Sequence, residues 1–499
     1  MGILVRQSLF NTALAYFGIL LGFVNVVLLY PRVLAVEEFG LTRLLVSIAT
    51  IAAQASQLGA ENTIMRYFPY FRDTARKHRG LLAMLLLFGL AMSLLAMIAL
   101  RALHGTLTAV FADRNTLYGA YGLLLLPIVL AEIYFILLRS YSRSLRRTVQ
   151  PTFIREFVLR ALQTVLIVAQ WKLRMPFGVF MAAYASLFLI CTLALVLDLK
   201  RSGHFDLGWE HRWLPGRLKR SLATYTLFTF MASIAGMVLG NMDQIMIGAL
   251  LGRDALAQVA HYAVAFYFGS VIAAPGRALQ QVATPMIADA WKRHDHGTVS
   301  GLYRRSAFVQ WLVSGLLFVL MFTGMEDLFA LLPPSYTGAS LVAFIIGLAY
   351  LLNSSIGLSA PVISMSRSYA LDAYSSIAMV LINLIANFFL IRSMGVAGAA
   401  WATFIALTTV NAYRTWFLWW RYRLWPYDAR FLIVLALMLA LIFVVPWIPL
   451  TGKPMLDLPI RAALVVAVFV PTAYALGLLK DAEAMIRKAM GASTSKVAK

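Results

Sequence analysis

The chain has few cysteines, few acidic residues and almost no charge inside its long apolar stretches. Only Cys191 occurs among 499 residues, which excludes an intramolecular disulfide and any metal site built from several cysteines. Asp and Glu number 21 against 43 Lys and Arg, for a net charge of +22. Such an excess can indicate a nucleic-acid partner. Here the basic residues are dispersed over many short loops, as membrane topology requires, so we expect none.

Apolar residues dominate the composition of the chain. They make up 61% of the chain, and the mean hydropathy is +0.79. Apolar runs of about 20 residues, each long enough to cross a bilayer, recur from end to end. Backbone groups in lipid must be satisfied within the element, so these runs are helices. The sequence predicts fourteen spans, at 9–30, 40–62, 80–101, 117–138, 150–170, 176–197, 221–247, 257–284, 305–325, 338–358, 370–391, 396–416, 429–449 and 459–479.

The charged residues between spans orient the chain. No small-residue cleavage site follows the first apolar run, so we predict an uncleaved first span. With the N-terminus placed in the cytoplasm, thirty basic residues fall at or beside the cytoplasmic face and nine on the opposite side. This bias predicts that both termini are cytoplasmic. The remaining four are inside spans: Arg43, Arg155, Arg160 and Arg277.

A weak internal repeat indicates two halves of like orientation. Asn25 and Asn241, Leu34 and Leu250, and Pro69 and Pro285 are each 216 positions apart. A parallel repeat about an axis along the membrane normal is a common transporter design. We therefore predict a six-helix lobe at 1–197, a basic cytoplasmic linker at 198–220, a second six-helix lobe at 221–418, an appended two-helix hairpin at 419–480 and a cytoplasmic tail at 481–499.

Four short segments resemble bacterial polysaccharide flippases. The segment Gly22-Phe23-Val24-Asn25 through Tyr30, with Glu38-Phe39-Gly40-Leu41, resembles their first hairpin, and Ser56-Gln57-Leu58-Gly59-Ala60 leading to Pro69 is similar to the end of their second span. Asn241-Met242-Asp243-Gln244 resembles their seventh span, and Gly395-Val396-Ala397-Gly398 the start of their twelfth. These flippases belong to the multidrug/oligosaccharidyl-lipid/polysaccharide exporter superfamily.

The resemblance implies a fold and a function. It implies two lobes around a central cavity in the bacterial inner membrane. The substrate would be an undecaprenyl-pyrophosphate-linked oligosaccharide, moved outward by alternating access for polysaccharide or lipopolysaccharide synthesis, with other polysaccharide assembly proteins as partners. Lipid II flippases of the superfamily typically carry arginine in the first span, where this chain has Asn25. We therefore expect the O-antigen or exopolysaccharide branch.

Charges at matching depths suggest gates. Arg43 lies near the outer end of the second span and Asp243 near the outer end of the seventh, so we predict an outer pair. Glu61 and Arg277 share a depth in the cytoplasmic half and are also 216 positions apart, which predicts an inner pair. The alternative is that each side chain snorkels to its nearest interface.

The fifth span carries two arginines. Glu156 precedes Arg160 by four positions, the favourable order for an ion pair on one helix face. Arg155 points elsewhere, at a depth similar to that of Glu132. Both arginines can therefore form structural ion pairs. In the functional alternative, one arginine leaves its acid and binds the carrier's pyrophosphate, which the planar guanidinium suits.

Other polar side chains are candidates for the substrate cavity or for ion coupling. Asn25, Asn241 and Gln244 could contact sugar hydroxyls, although intramembrane amides more often join helices. Glu132, Glu156 and Asp243 could couple transport to H+ or Na+. We expect no cofactor and no metal site.

Two rival functions are weighed against a flippase. A membrane-embedded polymerase or ligase typically carries a large outer loop with catalytic charges, whereas the outer loops here are short and nearly featureless. A nucleotide-sugar enzyme would need a paired-acid or glycine-rich phosphate motif, which the cytoplasmic loops lack. A non-enzyme is therefore expected. A multidrug exporter or a lipid II exporter remains the closest alternative.

Overall fold

All regular structure in the described part of the chain is helical. The computed structural model describes residues 3–73, 77–111, 116–208, 216–448 and 451–481. Within these ranges it contains no β-strand, and eleven helices are long and apolar enough to cross a membrane. The other three predicted spans also fall on helices, at 149–173, Gly216–Leu250 and Ala339–Ser355. The predicted all-α membrane fold is confirmed.

We number the membrane helices in chain order. They are α1 (Ala13–Val33), α2 (Val36–Phe71), α3 (His78–Ala102), α4 (Thr116–Ser144), α5 (149–173), α6 (Phe177–Arg201), α7 (Gly216–Leu250), α8 (255–292), α9 (His296–Thr323), α10 (Ala339–Ser355), α11 (Tyr369–Met394), α12 (Val396–Tyr422), α13 (Ala429–Trp447) and α14 (Pro454–Ala475).

Several of these helices are irregular. A π-helical turn interrupts α1 at Val24–Leu29, and another interrupts α5 at Ile154–Val158. Helices α2 and α8 are broken near their middles, at 57–59 and at Ala273. Such irregularities in membrane helices occur where backbone lines a cavity or is satisfied by neighbouring side chains.

The helices group into two compact units. One comprises Ala13–Ala260, and the other comprises His261–Lys499 together with Met1–Thr12. We call them the N-terminal and C-terminal units. Helix α7 belongs to the N-terminal unit, although the sequence places it in the second repeat. The two-lobe repeat therefore stays a prediction. Parts of two predicted segments, 209–215 of the linker and 482–499 of the tail, lie outside the described residues.

Helices α2 and α7 pack antiparallel along their lengths, and we call this contact the α2–α7 seam. Ser47 donates to Gln244 at 3.1 Å in one half of the seam. Toward the other end, the hydroxyls of Thr63 and Thr226 are 2.9 Å apart. The seam joins an element of the first predicted half to one of the second.

The C-terminal hairpin packs against α9. Phe431 and Met438 of α13 lie with Trp311 in one buried apolar cluster. Arg461 of α14 forms an ion pair of 2.8 Å with Asp327, just after α9. At the start of α13, burial raises the pKa of Asp428, but hydrogen bonds from Arg430 outweigh it, so that the pKa lies below its usual value. These contacts attach the hairpin to the C-terminal unit.

Candidate functional site

The break in α2 places a carboxylate at the start of a new helical segment. Leu58 and Gly59 both have positive φ, at 50° and 82°, and this ends the first segment. The side chain of Gln57 then caps the second segment by accepting a hydrogen bond of 2.9 Å from the Glu61 backbone N–H. Glu61 lies in the first turn of that segment, where a negative charge is stabilised by the free N–H groups of the helix end.

Glu61 is bound by two arginines of α4. Arg139 Nη2 lies 2.9 and 3.1 Å from the two carboxylate oxygens, and Arg143 Nη1 lies 3.2 Å from one of them. The sequence had placed both arginines at the cytoplasmic face and paired Glu61 with Arg277. The predicted gate would pair Glu61 with an arginine of the other unit, and it stays a prediction. In the structure the Glu61 carboxylate already has two cationic partners, Arg139 and Arg143.

The break in α8 has the opposite electrostatic character. The first segment ends at Ile272 and the second begins at Ala274, so the break is 216 positions after that of α2. Arg277 lies in the first turn of the second segment and donates to the backbone oxygen of Ser270 at 2.7 Å. The guanidinium thus satisfies a carbonyl near the end of the first segment, where the helix leaves carbonyls without partners.

A polar pocket of about 260 Å³ opens at this break. Arg277 and Arg414 contribute guanidinium groups, and Gln280, Gln310, Asn353 and Asn411 contribute amides. Tyr350, Ser354 and Ser359 add hydroxyls. All the lining residues belong to the C-terminal unit. We call this the α8 pocket.

The side chains of the α8 pocket are held by neighbouring helices. Arg414 of α12 is 8% exposed and pairs with Asp372 at 2.9 Å. Asn411 donates to Asn353 at 2.9 Å, which joins α12 to α10. Gln310 is buried, and its Nε2 has no hydrogen-bond partner among the described residues. That amide donor is available to a ligand.

Gly276 leaves room for Gln310. A β-carbon at this position would lie 2.8 Å from Gln310 Oε1, closer than real contacts allow. The glycine after Pro275 therefore permits the amide to approach the first turn of the second α8 segment. The break in α8 and the absence of a side chain at Gly276 together shape one wall of the α8 pocket.

Both ion pairs predicted on α5 are confirmed. Arg155 contacts Glu132 of α4 at 2.6 Å, and Arg160 contacts Glu156 at 2.9 Å. Glu132 is 5% exposed, and Arg155 supplies the counter-charge that a buried carboxylate requires. These contacts support the structural interpretation of the α5 arginines. The alternative role in pyrophosphate binding stays a prediction.

Asn25 joins two helices at the π-helical turns. Its amide nitrogen donates to the Arg160 backbone oxygen at 2.9 Å, and its amide oxygen accepts from Thr164 at 2.8 Å. Arg160 also donates to the Gly18 backbone oxygen. With 1% exposure and both ends of its amide in use, Asn25 has the geometry of a helix-joining residue, and its predicted contact with substrate remains untested.

The remaining candidates lie on α2 and α7. Asp243 is fully buried, and Gln244 accepts a hydrogen bond from Ser47 in the α2–α7 seam. Asn241 is partly buried beside them. The guanidinium of Arg43 lies 5.7 Å from the ring centroid of Phe39, a cation–π distance. The outer gate predicted between Arg43 and Asp243 stays a prediction.

Sequence reasoning missed the most enclosed arginine of the α8 pocket. Arg414 was counted with the cytoplasmic charges, because it lies near the end of a predicted span. The structure places it inside α12, with Asp372, Ser375 and Ser376 around it. Gln310 and Asn411 were not among the predicted site residues. The sequence did contain one signal for these residues. Asn411 lies three positions before Arg414, so the two side chains share one face of α12.

The side chains of the α8 pocket suit the binding of phosphate and hydroxyl groups. Guanidinium groups bind phosphate through parallel N–H donors, and amides pair well with hydroxyls. Groups of three or more His, Cys, Asp or Glu that could hold a metal ion are absent from the described residues.

The fold is similar to that of solved membrane transporters. A lipid II flippase MurJ in an inward closed conformation matches with a TM-score of 0.71 at 12% identity, over 93% of this chain and 98% of that one. A mutant of the Vibrio cholerae MATE transporter VcmN matches with a TM-score of 0.57 at 14% identity, over 84% and 97%. An inward-facing multidrug resistance MATE transporter of the MOP superfamily matches with 0.56 at 13%, over 85% and 95%.

These likenesses establish the class of fold. The chain has the all-helical architecture shared by MOP-superfamily transporters and the lipid II flippase. The sequence itself matches no family model, and no curated protein matches it.

Proposed function

We propose that the protein is a flippase that moves an undecaprenyl-pyrophosphate-linked oligosaccharide across the bacterial inner membrane by alternating access. The observation that carries the proposal is the α8 pocket, in which two arginines and four amides surround a cavity at a helix break. Discontinuous helices form substrate sites in many transporters. Both termini lie in the cytoplasm in this proposal, as the charge bias predicts.

The chemistry of the α8 pocket fits the junction between carrier and sugar. Arg277 and Arg414 supply positive charge for a pyrophosphate. We assign the amides of Gln310 and Asn411, which line the pocket, to sugar hydroxyls. A volume of about 260 Å³ is smaller than a typical drug-sized site of about 300–1,000 Å³. We therefore assign it to the pyrophosphate and the adjoining sugar, with the rest of the glycan outside.

Coupling to H+ or Na+ is part of the proposal. Asp243 is fully buried in α7, within the resembling segment Asn241–Gln244, and Glu132 is 5% exposed. We assign ion coupling to the intramembrane carboxylates Asp243, Glu132 and Glu156, since intramembrane acids generally serve ion pathways.

Lipid II transport is the second candidate. It is favoured by the TM-score of 0.71 with the lipid II flippase, against 0.57 and 0.56 with the MATE transporters. Lipid II shares the undecaprenyl-pyrophosphate group with the proposed substrate, so the α8 pocket fits either. Drug export is a third candidate and does not need a phosphate site.

A reconstitution assay tests the proposal. Proteoliposomes carry an undecaprenyl-pyrophosphate-linked short oligosaccharide, lipid II or a cationic dye, and delivery to the opposite leaflet or lumen is measured. We expect the oligosaccharide to move and Arg277→Ala to reduce its rate at least about tenfold, since charge-assisted phosphate contacts are worth about 1.5–3 kcal/mol. Arg392→Ala is the control, because Arg392 stacks on Phe388 outside the pocket.

Each other outcome has a definite meaning. Movement of lipid II alone favours the second candidate, and dye export alone favours the third. Transport of the oligosaccharide at an unchanged rate in both Arg277→Ala and Arg414→Lys contradicts the assignment of the α8 pocket. No transport of any substrate contradicts the flippase function.

A further inference from the structure

A second, larger pocket lies at the ends of four helices in the C-terminal unit. It has a volume of about 780 Å³ and is formed where α8 and α12 end and where α9 and α11 begin. The charge bias assigns this face to the cytoplasm. It shares no lining residue with the α8 pocket. We call it the basic pocket.

The lining of the basic pocket carries positive charge without a carboxylate. Its basic residues are Lys292, His294, His296, Arg367, Arg421 and Arg423. The four Lys and Arg side chains form no ion pair with a carboxylate in the described part of the chain. Nearby acids are already engaged: Asp289 pairs with Arg293, and Asp295 caps α9 by accepting from the Thr298 N–H.

An aromatic wall supports the cations. The rings of Trp291 and Tyr422 lie 5.1 Å apart, and Trp291 lies 5.3 Å from the ring of His296. Trp291 Nε1 donates to the Val362 backbone oxygen at 3.1 Å, which fixes the indole. The hydroxyls of Tyr422 and Ser368 are 2.9 Å apart. The wall therefore has a defined geometry, attached to the apolar core beneath it.

The backbone brings the basic residues back toward the cavity at two helix ends. His294 has φ of 57° and Arg423 has φ of 56°, a left-handed conformation that non-glycine residues seldom adopt. Each terminates a helix, α8 or α12, and reverses the chain there. Positive-inside topology requires cations near this face, but it does not require that they converge on one concave surface.

We propose that the basic pocket binds a phosphate-bearing anion, separately from the transport site. The converging cations supply charge for at least two phosphate charges, and Ser366, Ser368 and Tyr422 supply hydroxyls at the wall. The anion comes either from the headgroup of an acidic membrane lipid or from a free phosphorylated solute. Both have the same recognition chemistry, so the experiment must separate the sources.

The test uses the full chain in nanodiscs and inorganic pyrophosphate as the probe. In phosphatidylcholine nanodiscs we expect saturable pyrophosphate binding by calorimetry, measured throughout in a chain that carries Arg277→Ala so that the α8 pocket does not contribute. Arg367→Ala combined with Arg421→Ala should weaken it at least about tenfold, because each charge-assisted contact is worth about 1.5–3 kcal/mol. Arg293→Ala is the matched control: it is an exposed arginine beside the pocket that pairs with Asp289.

Exchange of the lipid identifies the source. If nanodiscs with phosphatidylglycerol weaken pyrophosphate binding at least tenfold in the chain with an intact basic pocket, the lipid headgroup occupies the pocket. If phosphatidylglycerol has no effect, the pocket serves a soluble phosphate. Absence of pyrophosphate binding in phosphatidylcholine, or equal binding with and without the Arg367→Ala and Arg421→Ala substitutions, overturns the proposal. The variant Arg367→Lys with Arg421→Lys should keep most of the affinity and shows that charge is responsible.

Discussion

The breaks in α2 and α8 are 216 residues apart. Each creates a new helix start, but the charged residues at the two starts have opposite signs and different partners. After the first break, Glu61 sits at a helix start and is neutralised by Arg139 and Arg143. After the second, Arg277 donates to a carbonyl and faces a cavity that also contains Arg414. The break in α2 therefore places its charge in an internal ion pair, whereas the break in α8 presents its charge to a pocket.

The largest effect is expected from removing a charge in the N-terminal unit. Glu132→Gln should lower stability by about 3–5 kcal/mol, because it leaves Arg155 without its counter-charge in a buried setting. The double variant Glu132→Gln, Arg155→Met should recover most of this loss. Thermal unfolding in detergent measures both. The exposed pair supplies the control, since Asp289→Asn should cost no more than about 0.5 kcal/mol. Equal losses in Glu132→Gln and Asp289→Asn would show that burial does not increase the contribution of the Glu132–Arg155 pair to stability.

The next effect concerns the shape of the α8 pocket. Gly276→Ala should reduce transport about tenfold with little loss of stability, because the new β-carbon displaces Gln310, and small misplacements of binding groups are costly. The control is Gly301→Ala on α9, where a β-carbon meets nothing within 4 Å. Transport rate and unfolding temperature are measured together. An unchanged rate in Gly276→Ala would show that Gln310 does not act in transport.

A smaller effect is expected from the backbone conformation at each break, which differs between α2 and α8. Gly59 has φ of 82°, whereas Ala273 has φ of −77°. Gly59→Ala should therefore cost about 1–2 kcal/mol of left-handed strain, while Ala273→Gly should cost at most about 1 kcal/mol. Chemical denaturation of the two variants compares them. Similar costs would mean that the breaks are built alike.

The smallest effect is expected in the α2–α7 seam. Thr63→Val should cost about 1 kcal/mol, because one hydroxyl pair is lost and Thr226 keeps its bond to the Leu222 backbone oxygen. Thr50→Val is a suitable comparison, since Thr50 bonds only within its own helix, to Val46. Denaturation in detergent measures the difference. A cost above about 3 kcal/mol would indicate that the seam depends on this contact.

The sequence was sufficient for the fold and for the local ion pairs. The apolar runs predicted the fourteen helices. The four-residue spacing of Glu156 and Arg160 predicted an ion pair that depends on one helix alone. The partners of Glu61 were not predictable in the same way. They depend on how α2 approaches α4, and helix spacing along the chain carries no information on that approach. Arg414 was missed for a related reason: a charge near a span's end is compatible with an interface or with burial.

The α2–α7 seam differs chemically between its ends, and the difference has a consequence for separation of the two helices. At one end, beyond the Ser47–Gln244 hydrogen bond, a β-carbon on Gly248 would lie 3.1 Å from Leu44 and 3.3 Å from Phe111, so apolar surfaces interlock there. At the other, Thr63 and Tyr67 use hydroxyls. Water can replace a hydroxyl contact at little net cost, but it cannot replace interlocked hydrocarbon. Helices α2 and α7 therefore separate more easily at the hydroxyl end, where water can replace the contacts. The α2–α7 seam is expected to open from that end first.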